Sequence, residues 1–308
     1  MRALLIVNPH ATSAKQLRRD VIVGALSSAV ELEVVQTRYR GHATALAAAA
    51  RSGGFGLVLT LGGDGTVNET VNGILGDAAA SAGVPALAPL PGGNANVFTR
   101  AMGLPTDLVD ATGHVLHALA EGRFRSISLG LAGGRYFTSN AGLGIDAEVV
   151  RAVDGRRARG RAATTALYVR MTVRQFYRAT DRRHPALVLE RDGQPPAGPL
   201  FLGIVSNTAP WTFLGHRPVY TNPQAAFDSG LDLFALRSLR TVSTLRTVYQ
   251  MLSGRRTPRG RGVLTLHDQA ELTLRSDRPL AFQVDGEYVG EQERVRFQSV
   301  PDALRVVA

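Results

Sequence analysis

The segment Phe55–Leu61 (FGLVLTL) runs directly into Gly62-Gly63-Asp64-Gly65-Thr66, and no other feature constrains this chain as tightly. A short, nearly unbroken apolar run bounded by turn residues suits a strand buried on both faces. Parallel sheets covered by helices provide that environment. The flanking sequence agrees. Ala3–Val7 (ALLIV) is a second apolar run, closed by Asn8-Pro9, and an amphipathic stretch runs from about Ser13 to Ala29. Leu32–Thr37 reads as a strand and the alanine-rich Ala43–Ala50 as a helix. The glycine loop should open a helix near Val67 that ends at about Leu75. Pro85–Leu90 is the next strand, Pro91–Gly93 a glycine turn, and Ala95–Met102 a helix. Strand–helix alternation with short connections predicts an α/β domain on a parallel sheet.

After about Arg125 the pattern changes to short strands: Ser126–Leu131, Arg135–Ala141, Ala186–Glu190, Leu200–Ser206, Leu231–Leu236, Ala270–Arg275, Leu280–Val284 and Tyr288. Gly133-Gly134, Asp192-Gly193 and Asp285-Gly286 supply turns. Helices are expected at Thr164–Tyr177 and Thr244–Leu252. This second half reads as a mainly antiparallel β-sandwich. The expected division is an α/β nucleotide-binding domain over residues 1–125 and a β-rich substrate domain over 126–293. Residues 294–308 form a segment, read as a strand pair at Arg294–Val307, that returns to the first domain.

Composition narrows the function classes. The chain has 308 residues and no cysteine, which removes disulfides, thiolate zinc sites and cysteine nucleophiles. No apolar run approaches the roughly 20 residues of a membrane span. The apolar part of MRALLIVNPH is too short for a signal peptide, so a cytoplasmic location is expected. Lys15 is the single lysine, and its surroundings match no P-loop or kinase strand-three motif. The histidines show no zinc spacing, and no Gly-x-Ser-x-Gly elbow occurs. Net charge is +10, which favours an anionic partner.

In Gly62–Thr66, glycines let the backbone approach a ligand, and the amides of the adjoining helix start can face phosphate oxygens. Asp64 can orient a metal or a hydroxyl. GGDGTVNETVNG resembles the signature loop of the diacylglycerol kinase catalytic-domain family, which includes soluble bacterial lipid kinases and sphingosine kinases. NAD kinases and phosphofructokinases are more distant relatives with a GGDG loop. Further segments agree in the family's order along nearly the whole chain. Asn8-Pro9 resembles N-P-x-S-G, and Thr37 with Gly41-His42-Ala43 resembles T-x-x-x-G-H-A. Pro91–Arg100 resembles P-x-G-T-x-N-D-F-x-R, Asn140–Ala147 resembles N-x-G-x-G-x-D-A, and Asp285-Gly286-Glu287 matches D-G-E. There are departures. His10-Ala11-Thr12 replaces x-S-G, Asn94 stands for the usual threonine, and Val97 stands for a frequent aspartate.

The resemblance implies a two-domain lipid-kinase/NAD-kinase-like architecture with ATP in the cleft between domains and magnesium bridging its phosphates. By that likeness Glu287 is the general base, Asp285 its partner, and Asp64 the carboxylate that orients metal or substrate. Nucleotide contacts are expected from Asn8, Pro9, Thr12 and Thr37. The GGDG loop adds Gly62, Gly63, Gly65, Thr66, Asn68 and Glu69, and the second loop Gly92, Gly93, Asn94 and Asn96. Asp228-Ser229-Gly230-Leu231-Asp232 corresponds to a segment that holds structural magnesium in some bacterial relatives. Here Ser229 and Ala226 supply no carboxylate, so a turn without metal is expected. Arginine-rich stretches at Arg151–Arg183 (with Arg156, Arg157, Arg159 and Arg161) and Arg237–Arg261 are either solvated faces or surfaces for anionic headgroups. The expected activity is ATP-dependent phosphorylation of the primary hydroxyl of a diacylglycerol-like lipid, with a soluble acceptor such as NAD, or silent nucleotide or membrane binding, as alternatives. Expected partners are that lipid and an anionic membrane surface met from the cytoplasmic side, with a homodimer as an option. No recognition motif accompanies the charge, so nucleic acid is not expected.

Overall fold

Leu57, Val58, Leu59, Thr60 and Leu61 are all fully buried, the burial on both faces that their sequence demands. The computed structural model describes residues 1–9, 16–76, 83–157, 164–179, 181–254 and 256–308. They form two units, Met1–Leu129 with Val300–Ala308, and Gly130–Ser299.

In the first unit, strands β1 (Arg2–Val7), β2 (Glu31–Gln36), β3 (Leu57–Gly62) and β4 (Ala86–Pro91) form a parallel sheet in the order β2-β1-β3-β4. Helices α1 (Gln16–Ser27), α2 (His42–Ser52), α3 (Asp64–Leu75), α4 (Val97–Ala101) and α5 (Leu108–Ala120) connect and cover it. Alternate residues of three strands (Ala3, Leu5, Val7; Leu57, Leu59, Leu61; Ala86, Ala88, Leu90) share a core with Ile22, Leu26, Leu108, Ala111, Val115 and Ala118 of α1 and α5. Each fully buried Leu or Ile contributes about 1.5–3 kcal/mol. Helix α5 is absent from the sequence reading. Its apolar positions recur at helical spacing, and the Asp107 carboxylate caps it by accepting the Val109 and Asp110 N–H groups at 2.8 and 3.3 Å. Gly113 weakens that signal.

Helix α3 starts at Asp64 rather than near Val67, so Asp64, Gly65 and Thr66 form its first turn. It lies so close to α2 that a Cβ on Gly73 would overlap the Thr44 carbonyl oxygen.

The second unit is mainly antiparallel. Its strands are β5 (Phe124–Ala132, entering from the first unit), β6 (Arg135–Phe137), β7 (Asn140–Gly144), β8 (Leu187–Arg191), β9 (Gln194–Leu200) and β10 (Leu202–Ser206). A small hairpin pairs β11 (Thr212–Leu214) with β12 (Arg217–Val219). Then come β13 (Leu231–Leu236), β14 (Val263–Gln269), β15 (Glu271–Val284) and β16 (Glu287–Val307). The ladder runs β14-β13-β10-β7-β15-β16, with β8 on β15 and β9 on β8. The helices are α6 (Ile145–Arg157), α7 (Thr165–Arg174, extended by a π-turn at Gln175–Ala179) and α8 (Thr241–Ser253).

Four expectations change here. The single strand read at Arg135–Ala141 breaks at Thr138-Ser139, because those amides turn onto the Asp285 carboxylate. Ala270–Arg275 and Leu280–Val284 are one strand with a register shift between Arg275 and Leu280. The strand pair expected at Arg294–Val307 is the end of β16, which passes into the first unit at Val300, where Val306 pairs in parallel with Leu87 of β4. Helix α6, read as part of a β-rich stretch, leaves β7 at Gly144, whose φ of 93° makes the turn in one residue. No helix among the described residues is long and apolar enough to cross a membrane.

Candidate active site

The order β2-β1-β3-β4 reverses direction at β1, and ligands of open α/β sheets bind outside the carboxyl ends of strands at such a point. The sequence motifs of the first unit gather there. The Asn8 N–H donates to the Leu61 carbonyl at 2.9 Å, and Asn8 Nδ2 donates to Thr66 Oγ1 at 3.1 Å. Pro9 comes next and is exposed. Thr37 follows β2 directly, and its N–H donates to the Val7 carbonyl at 2.8 Å. The two glycine loops touch through their backbones: the Gly92 N–H donates to the Gly62 carbonyl at 2.9 Å. A Cβ on Gly93 would lie 2.6 Å from Gly63 Cα, and one on Gly63 3.2 Å from Gly93 Cα. A Cβ on Gly62 would strike Thr66 Oγ1 at 2.5 Å. Only glycine permits this approach, which leaves a backbone-walled cradle suited to phosphate at the start of α3.

Asp64 sits in that cradle, half-buried. One of its oxygens accepts the Phe98 N–H of α4 at 3.0 Å, and its charge acts on Arg100, whose guanidinium is otherwise pulled down by burial. The family-like motif contains Arg100, yet sequence reasoning gave it no role. Asn94 is exposed at the tip of its loop. Gly65 is half-buried beside Asp64. The loop amides and the Asp64 carboxylate are a donor set that a nucleoside triphosphate with a divalent metal would fit.

Three expected nucleotide contacts have other work. The Glu69 carboxylate accepts the Gly41 and Ala43 N–H groups at 2.8 and 3.2 Å, holding the start of α2. Asn68 is wholly buried and accepts from Asn72 Nδ2 on its carbonyl at 2.9 Å. Asn96, at φ 46°, closes its own loop: Oδ1 accepts the Gly93 N–H and Nδ2 donates to the Gly93 carbonyl, both at 2.8 Å. Thr12 lies outside the described residues, as do Arg159 and Arg161.

In the second unit, Asp285 and Gly286 form the two-residue turn joining β15 to β16, with φ of 46° and 76°. Two successive positive φ values suit an Asp-Gly hairpin turn. The Asp285 carboxylate accepts the Thr138 N–H (2.8 Å), Thr138 Oγ1 (2.9 Å), the Ser139 N–H (2.8 Å) and the Asn140 N–H (3.0 Å). Four donors fill about four lone-pair sites. Asp285, expected as the partner of Glu287, therefore fastens the turn to the break before β7. Glu287 is the first residue of β16, its Oε2 accepting from Arg135 Nη2 at 2.8 Å. Gln283 braces the turn from beneath. Its Oε1 accepts the Gly286 N–H at 2.9 Å, and its Nε2 reaches Asn140 Oδ1 at 3.0 Å and Asp146 Oδ2 at 2.8 Å. Asn140 Nδ2 also donates to the Trp211 carbonyl at 3.1 Å, tying in the β11–β12 hairpin. Arg135, Thr138 and Gln283 escaped sequence reasoning because nothing local marks them.

Burial pushes the Asp146 carboxyl up to about 6 from 3.8, against the Gln283 hydrogen bond. The folded protein thus keeps a proton that the unfolded chain has lost. Stability is expected to fall as pH rises from about 4 to 6, and Asp146→Asn should flatten that interval. Urea unfolding of both proteins at pH 4, 5, 6 and 7 checks it; parallel curves refute it.

Asp228 and Ser229 lie in the turn before β13, and Asp232, within β13, accepts the Asp268 N–H on Oδ1 at 3.0 Å, the same oxygen lying 2.8 Å from His267 Nδ1. Among the described residues no group of three or more acidic or histidine side chains is placed to hold a metal.

Residues 2–132 match the family model for the diacylglycerol kinase catalytic domain. A diacylglycerol kinase of Staphylococcus saprophyticus is 34% identical over 144 residues, 46% of this chain and 44% of that relative, so this alignment spans less than half of the relative's length. One from Bacillus subtilis is 27% identical over 295 residues, covering 94% of this chain and 90% of the relative. A solved putative diacylglycerol kinase from Bacillus anthracis shares the fold, with a TM-score of 0.77 at 20% identity over 99% of this chain and 96% of that one.

Proposed function

We propose that the chain, whose residues 2–132 match the diacylglycerol kinase catalytic domain, is a member of that family and transfers the γ-phosphoryl group of ATP to the primary hydroxyl of a diacylglycerol-like lipid. The observation that carries this reading is the Gly63–Gly93 backbone contact at the carboxyl ends of β3 and β4, with Asn8, Asp64 and Thr66 beside it. Amides of the two loops would hold the triphosphate, and magnesium held through Asp64 would neutralise charge on the transferring group. Glu287 takes the proton of the acceptor hydroxyl as its oxygen bonds to the γ-phosphorus and the bond to the bridging oxygen of ADP breaks. Arg135 orients the Glu287 carboxylate, while Asp285 and Gln283 fix the turn that carries it. The product is a phosphatidic-acid-type lipid. Its acyl chains lie against the apolar side chains around Trp211, Phe213 and Leu214, and the membrane that supplies it is anionic, as the net charge of +10 favours.

Radiolabelled ATP offered with a panel of lipids and with NAD tests the reading. Label should appear in diacylglycerol. Label in NAD instead, or in no acceptor, would overturn it.

A further inference from the structure

Helix α8 wears its large apolar side chains on the outside. Val242 is 82% exposed, Tyr249 74%, Leu245 61% and Val248 43%. At 3.6 residues per turn these four fall within one arc of about 120°. Thr247 and Met251, on another side of the helix, are buried. Isolated exposed apolar residues are ordinary; four on one helix face are a surface made for contact.

The surrounding charge selects the occupant. Arg237 to Arg261 holds seven arginines and no aspartate or glutamate. Arg237, Arg240 and Arg246 are exposed at the start and along the helix, and Arg256, Arg259 and Arg261 are exposed just beyond it. At the helix start Arg182 Nη1 donates to Thr241 Oγ1 at 3.4 Å, and its guanidinium lies 4.9 and 5.4 Å from the Phe176 and Tyr177 rings. An exposed aromatic, Tyr177, thereby joins the surface. A second copy of the chain would set this arginine-rich face against itself, and nucleic acid offers phosphate without hydrocarbon. An anionic bilayer offers both.

We propose that α8 is a docking helix whose Val242, Leu245, Val248 and Tyr249 side chains enter the acyl region of an anionic membrane while the flanking arginines meet headgroup phosphates. The purpose of docking, delivery of the enzyme to a substrate dissolved in the bilayer, rests on the lipid-kinase reading. The docking itself does not.

Because the chain has no cysteine, Leu245→Cys can carry an environment-sensitive fluorophore as the single label. With vesicles of phosphatidylcholine and phosphatidylglycerol, its emission should shift to the blue and become shielded from an aqueous quencher. With phosphatidylcholine alone it should stay unshielded. The same label at Val109→Cys, exposed on α5, should remain water-like throughout. The triple variant Val242→Ser, Leu245→Ser, Tyr249→Ser should lower vesicle partitioning at least tenfold with an unchanged circular-dichroism spectrum. Wild-type partitioning by the triple variant would overturn the proposal. So would vesicle binding that leaves the Leu245→Cys label in water. A blue shift that grows with protein concentration and needs no vesicles would overturn it too, and would assign the face to self-association. The kinase reading is judged separately on dispersed short-chain diacylglycerol, which wild type and triple variant should phosphorylate equally. Inactivity of both there would end that reading and leave the vesicle result standing.

Discussion

Glu287→Gln is expected to lower turnover by about 10²-fold or more, the usual contribution of a positioned general base, while ATP affinity stays within a few-fold. The substitution keeps the shape of the side chain, and its amide oxygen can still accept from Arg135 Nη2, which now lies 2.8 Å from Oε2. The Asp285-Gly286 turn is held by the Thr138–Asn140 amides and by Gln283, none of which the substitution touches. The variant loses the ability to take a proton. Single-turnover kinetics with bound ATP separate the chemical step from nucleotide binding, and near-normal turnover would remove Glu287 from the role of base.

The second large effect is expected at Gly93. Gly93→Ala places a Cβ 2.6 Å from Gly63 Cα and 3.1 Å from Asn96 Oδ1, closer to backbone than real side chains come, so the two loops must separate. Asn96 would lose its paired hydrogen bonds to Gly93, now 2.8 Å each, and the phosphate cradle would open. ATP affinity should fall at least tenfold, about 1.4 kcal/mol, by titration calorimetry, with the sheet intact by circular dichroism. Gly113→Ala is the control. Its Cβ meets nothing within 4 Å, and alanine suits the interior of α5 better by about 0.5–1 kcal/mol. Undiminished ATP binding by Gly93→Ala would place the nucleotide elsewhere.

The legibility of the two halves of this chemistry differs. At Gly62–Thr66, apolar run, glycine loop and helix are contiguous, so the residues that meet are also neighbours in sequence. The helix boundary still slipped by three residues, because Asp64 and Gly65 are poor helix interiors but good first-turn residues. Glu69 and Asn68 show the limit of reading roles from a motif. Both stand within the signature run, yet one holds the start of α2 and the other is enclosed in α3. An unbroken string of letters does not say which face of a helix each will occupy.

Local pattern alone determined the parallel α/β unit, the antiparallel character of the second unit, the glycine loops and the Asp-Gly turn before Glu287. Each depends on φ preference or on apolar periodicity over a few residues. Tertiary structure decided that Gly63 and Gly93 touch, that Asp285 is a fastener for Thr138–Asn140, and that Arg135 pairs with Glu287 across 152 positions. It also decided which face of α8 is left bare. Those outcomes depend on hydrogen-bond donors and packing partners that the chain brings together only after long loops have closed, and no short window of sequence contains both partners.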